Sequence, residues 1–237
     1  MSTTDDPSLS RTWAWLRARP SAVLMLVQLG GILAYPFLGD SPTGRGLFST
    51  IGLLVLVLAV FAVRATQALT WVSVVLGVPV VVLTVLEAVR PEDGIVVASS
   101  VLHAAFYLYT AYALIRYMFH DDHVTTDEIW ATGATFTVVA WGFAYLYAAV
   151  QVVWPGSFTA AVDPEADRTW VELLFLSVTT LTSTGLSDVV PVLPHARSVV
   201  MIEQIAGMLY IALVIARVMA LLSAREARRE LGRGPEL

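Results

Sequence analysis

The chain has 237 residues, 57% of them hydrophobic and only 14% charged, with a formal net charge of −5. A soluble domain has about a quarter of its residues charged, so this is the composition of an integral membrane protein. The acidic balance gives no basis for nucleic-acid binding, and the absence of cysteine excludes disulfides, thiolate catalysis and cysteine-held metals.

Residues 1–20 are a polar segment in which Arg11, Arg17 and Arg19 surround Trp13 and Trp15. Such a basic, Trp-bearing flank anchors a chain at the cytoplasmic interface. Four apolar spans follow within 21–118, at about 21–38, 47–63, 71–89 and 95–118. The stretches 39–46 and 90–94 read as turns, and Pro79 is expected to kink the third span. Each span is close to the ~20 residues a helix needs to cross the hydrocarbon. Spanning strands would show about ten residues of alternating polarity, and no such run occurs. The fold class is therefore all-α.

The stretch 119–128, FHDDHVTTDE, is the one polar linker and divides the chain into two membrane units. A fifth span (about 129–154) leads to an acidic loop (155–168) and an amphipathic segment (170–181). A hydroxyl-rich strip follows, then a sixth span (about 198–222) and a basic tail at 223–237. With the N-terminus inside, nine arginines fall in inner segments and four (Arg45, Arg90, Arg168, Arg197) in outer ones. That asymmetry places both termini in the cytoplasm. Trp71 and Trp130 then mark inner ends, and Trp154 and Trp170 outer ends. Six spans fit if the amphipathic segment dips in and returns on the outer side. The expected location is the inner (plasma) membrane.

The strip from Leu181 to Asp188 reads LTSTGLSD. Polar backbone between apolar helices is tolerated only where it is buried in protein or lines water. Rings of carbonyls and hydroxyls can replace the hydration shell of a monovalent cation. Thr182, Ser183 and Thr184 supply hydroxyls, and Gly185 permits the positive φ that turns a carbonyl toward an axis. The strip occurs once, so a ring needs several chains. A homo-oligomer surrounded by lipid is expected. Asp188, with Asp163, Glu165, Asp167 and Glu172, would concentrate cations at the mouth.

Fifth span, dipping segment, strip and sixth span together resemble the pore module of tetrameric potassium channels, whose motif is TxxTTVGYGD. Thr179 to Asp188 falls on that motif. Thr182 and Ser183 match its threonines, Gly185 its first glycine and Asp188 its acid. Pro191, Arg197 and Gly207 fall where the family has its turn proline, arginine and hinge glycine. The resemblance covers about 129–222. It implies a homotetramer in which Thr182, Ser183, Thr184, Gly185 and Leu186 bind K+ (or Na+), and Ser187 and Asp188 shape the outer mouth. It also implies a gating hinge at Gly207, with Met208, Ile211, Ile215 and Met219 lining the cavity and gate. On periodicity alone that last stripe reads more readily as ordinary helix packing. Thr184 replaces the motif's valine, Leu186 its tyrosine and Ser187 its second glycine, and Thr179 stands at the position of the pore-helix acid. These departures weaken the outer half of the filter and imply reduced K+ selectivity. The single-glycine strip also resembles the filters of potassium transporters built from four pore repeats.

The first four spans carry no arginine ladder of the kind a voltage sensor needs. Arg64 and Arg116 read as interfacial side chains. His120 and His123 flank Asp121 and Asp122 in the linker, where a solvated loop or a proton or metal site are the alternatives. Glu203 lies inside the sixth span, as a structural acid or facing the back of the filter, with Gln204 or a neighbour's His195 as candidate partners. His103 and Glu87 read as helix–helix hydrogen-bonding groups. No nucleophile elbow or metal-ligand spacing suggests an enzyme. The expected function is passive monovalent cation conduction; the alternative is a non-conducting membrane sensor or scaffold on the same fold.

Overall fold

The computed structural model describes residues 19–38, 42–64, 66, 68–120 and 125–232. Most of the N-terminal segment, Asp121, Asp122, His123 and the end of the tail lie outside the described residues. The elements in chain order are α1 (Pro20–Leu38), α2 (Pro42–Arg64), α3 (Thr70–Val89), α4 (Asp93–Met118) and α5 (Thr126–Val153). Then come β1 (Phe158–Thr159), α6 (Trp170–Leu181), β2 (Val190–Pro191) and α7 (Pro194–Gly232). The described fold is helical, as the apolar runs imply, apart from the two-residue pair β1–β2. Among the described residues five helices are long and apolar enough to cross a membrane: α1, α3, α4, α5 and α7 up to Ala220. In α2 the searched apolar stretch, Thr50–Arg64, is shorter than a span.

Three boundaries differ from the sequence reading. Helix α2 begins at Pro42, inside the expected turn, because proline at a first helical position loses no intrahelical hydrogen bond. The linker stops at Thr125: its hydroxyl accepts from the Glu128 amide at 3.2 Å and caps α5. The tail continues α7 to Gly232, since its run of Ala, Arg, Glu and Leu favours helix. Helix α3 remains helical through Pro79.

The core lies between α4 and α5. Phe106, Tyr107 and Leu114 of α4 pack with Ala134, Val138 and Trp141 of α5. Polar pairs fasten α1 to α5: Ser21 Oγ donates to Asp127 at 2.9 Å, and Thr137 donates to Gln28 Oε1 at 2.8 Å. Without water as a competitor, such pairs act as glue between helices. A second cluster, including Phe143, Tyr147, Phe158, Leu173, Leu176, Ala196 and Val200, joins α5, β1, α6 and α7. It fixes where α6 sits.

Candidate functional site

Helix α6 starts with a capping box. Thr169 Oγ1 accepts from the Glu172 amide at 3.3 Å, and Glu172 Oε2 accepts from the Thr169 amide at 2.6 Å. The two groups satisfy each other's otherwise orphaned N–H groups. Leu173, Leu174, Leu176, Ser177, Thr179, Thr180 and Leu181 of α6 are all buried. Its far end abuts α7 at Gly207. A Cβ there would stand 3.0 Å from the Leu181 carbonyl carbon and 3.1 Å from Leu181 Cα, with the carbonyl oxygen nearer still. Gly207 lies thirteen residues beyond Pro194, roughly 20 Å along the helix, near the midpoint of the Pro194–Ala220 span. So α6 ends beside the middle of the α7 apolar stretch. The chain then returns: Phe158 pairs with Pro191 and Thr159 with Val190, beside the exit of α5. Both ends of the segment therefore lie at the same end of α5 and α7.

The loop after α6 hangs from one carbonyl. The Thr179 oxygen accepts from the amides of Thr184 at 3.0 Å and Gly185 at 3.1 Å, and from the hydroxyls of Thr184 at 3.2 Å and Thr182 at 3.3 Å. The Ser183 amide reaches the Thr180 carbonyl at 3.0 Å. With Ser183 at φ 58°, these bonds form a Schellman cap whose left-handed position holds serine in place of the usual glycine. Gly185 also has positive φ, 64°. Thr184, between them, does not. Alternating the sign of φ brings successive carbonyls toward one side, whereas a strand points them to opposite sides. Ser183, Thr184, Gly185 and Leu186 are exposed, Leu186 to 79%. Ser187 Oγ accepts from the Val189 amide at 3.1 Å, and Asp188 is exposed. The expected filter and mouth residues thus form one continuous loop, exposed except at the half-buried Thr182 and Ser187.

Helix α7 is held to the rest of the chain by a single stripe. Val200, Glu203 and Gly207 are buried. Tyr210 donates to the Thr132 carbonyl at 2.6 Å, and Arg217 pairs with Glu128 at 3.7 Å beside the Phe119 ring. Among the described residues up to Ala220, most of the other positions are exposed. Met208, Ile211, Ile215 and Met219 are exposed, as are Ile202, Ile205 and Leu209. The expected cavity stripe is therefore exposed within its own chain. Gly207, expected as a hinge, has a packing reason of its own in the approach of Leu181.

The other singled-out side chains divide between structural and exposed positions. Glu203 does not pair with Gln204 but faces α6, behind the expected filter. It is fully buried and accepts hydrogen bonds from Tyr147 of α5 and Ser177 of α6. His195 instead stacks on Trp154, with centroids 4.1 Å apart. Of the mouth acids, Asp163, Glu165 and Asp167 are exposed, but Glu172 is engaged in the capping box and lies 3.6 Å from Arg168. Arg168 is itself buried, donating to backbone carbonyls of the acidic loop. His103 bonds the Ser99 carbonyl at 2.9 Å, lies 3.4 Å from the Thr84 hydroxyl of α3 and stacks on Tyr145 at 4.2 Å. Arg64 and Arg116 are exposed, beside the Phe61 and Tyr112 rings. Arg217, absent from the charge count by sequence, was detectable as a lone arginine late in an apolar span. Among the described residues no group of His, Cys, Asp and Glu could hold a metal ion.

Residues 133–224 match a family model described as "Ion channel". The matched range is less than half of the chain. It takes in most of α5, all of α6, the exposed loop and α7 through Ala220. No curated protein and no solved structure matches the chain. The match supports an ion-channel function for the part of the molecule that holds α6.

Proposed function

We propose that the chain is one subunit of a homotetrameric monovalent cation channel that passes K+ down its gradient with reduced selectivity. The observation that carries this reading is the exposed polar loop at mid-depth. Backbone and hydroxyls of Thr182 to Leu186 emerge from a helix that ends halfway along an apolar span. At that depth they must face protein or a water-filled path. The bare flanks of α7 supply the surface on which copies of the chain would pack, with its inner face lining the path. In a ring, the loop carbonyls and hydroxyls take the place of the ion's water. Ser187 and Asp188 then lie at the mouth. Six spans with both termini cytoplasmic complete the reading, α2 being the sixth.

The test is flux through the full-length chain in liposomes, with K+, Na+ and Cs+ gradients compared in turn. Uptake driven by K+ above Na+ is expected. No flux for any cation would favour the non-conducting sensor or scaffold.

A further inference from the structure

We propose that Glu203 is a positioning residue for the ion pathway, a buried brace that sets the pore loop by locking α6 against α5 and α7. The inference rests on the channel reading for its effect on ions, but not for its effect on the loop.

Three helices meet at this carboxyl group. Glu203 comes from α7 and is fully buried. Tyr147 from α5 donates to one carboxyl oxygen and Ser177 from α6 to the other. Ser177 also reaches back to the Ala140 carbonyl of α5 at 2.9 Å. The α6 residue in this network, Ser177, lies two residues before Thr179 in the last turns of the helix. Thr179 is the residue whose carbonyl holds the amides of Thr184 and Gly185. A displacement of α6 at Ser177 is therefore passed directly to the loop backbone.

An acid inside an apolar span is costly and marks a functional position by default. Apolar packing alone could join α6 to α7, as Leu181 and Gly207 already do. What the carboxyl group adds is direction: two acceptor oxygens fix the rotation of α6 as well as its distance. Removing the group strands the buried Tyr147 hydroxyl and leaves Ser177 tied only to Ala140 of α5, and a stranded buried donor is destabilising well beyond the loss of its bond.

The substitutions separate position from mere presence. In Glu203→Gln, the amide oxygen accepts from Tyr147 and the amide nitrogen donates to Ser177 Oγ, leaving the Ser177 proton for Ala140. In Glu203→Leu the volume stays similar and both partners are lost. Ser177→Ala and Tyr147→Phe each remove one arm, and serve if Glu203→Leu does not fold.

Two readouts on the full-length chain in liposomes decide the matter. The first is hydrogen exchange of the Thr184 and Gly185 amides. It should quicken about tenfold or more in Glu203→Leu, less in the single-arm variants, and stay within about twofold of wild type in Glu203→Gln. The second is the K+ to Na+ flux ratio, which should fall in the same order and recover in Glu203→Gln. Unchanged exchange at 184 and 185 in Glu203→Leu or in both single-arm variants overturns the brace, whether or not ions pass. Changed exchange with no ion flux in the wild type overturns the channel reading and leaves the brace supported. Quickened exchange with an unaltered flux ratio in a conducting protein overturns the positioning role for ions.

Discussion

Replacing Gly207 with alanine separates two reasons for a glycine in the middle of α7. If Gly207 serves only as a hinge, alanine should stabilise the helix by about 1 kcal/mol, the difference in helix propensity. The structure implies the opposite sign. The new methyl carbon would stand 3.0 Å from the Leu181 carbonyl carbon and closer to its oxygen. The obstruction is backbone, which cannot rotate away as a side chain can. Overpacking of this kind costs about 1–3 kcal/mol, and the upper end applies here. After the propensity gain, a net loss of about 1–2 kcal/mol is expected, together with displacement of α6 and loss of flux. Ala206→Gly is the control, removing rigidity without adding a clash. The double variant Ala206→Gly with Gly207→Ala keeps a flexible glycine one residue away while the clash persists. Thermal unfolding in detergent and K+ flux in liposomes are measured on all three. The close-approach reasoning expects the double variant to be less stable than either single one and to remain inactive. It is refuted if Gly207→Ala raises the unfolding temperature and the double variant restores flux.

Other substitutions probe the loop and the scaffold. Ser183 holds the left-handed position of the α6 cap, which costs a non-glycine residue about 1–2 kcal/mol; Ser183→Gly should raise the unfolding temperature and Ser183→Val should lower it, as followed by circular dichroism. Leu186→Tyr combined with Ser187→Gly restores the letters of the potassium-channel motif, and the K+ to Na+ flux ratio should increase. With Arg64 and Arg116 exposed beside aromatic rings, recordings over a wide voltage range should show weak or absent voltage dependence; steep gating would mean that charges move elsewhere in the chain.

The bounds of α6 were legible from its amphipathic run; Thr169 three residues before Glu172 is a second local signal there, unused in reading the sequence. The same signal at Thr125 and Glu128 marks the start of α5, yet it was hidden inside a stretch whose polarity suggested a linker. Serine at position 183 carries no such mark. Its left-handed φ is imposed by the hydrogen bonds to Thr179 and Thr180, which no residue preference announces. Glu203 was conspicuous as an acid in an apolar span, but its partners were not. Tyr147, Ser177 and Glu203 obey no common spacing, because they meet only after α5, α6 and α7 have packed.

What remains visible from both directions is an incompleteness. A helix hydrophobic on all sides is expected to be buried, but α7 is held by one stripe and leaves Ile205, Met208 and Leu209 bare. At the same depth the loop from Ser183 to Leu186 exposes polar backbone. Lipid could cover the first surface but not the second, because unsatisfied backbone in hydrocarbon costs several kcal/mol per group. Water could serve the second but not the first. The proposed assembly meets both requirements: copies of the chain packed on the exposed flanks of α7 around an axis that keeps water and ions beside the loop.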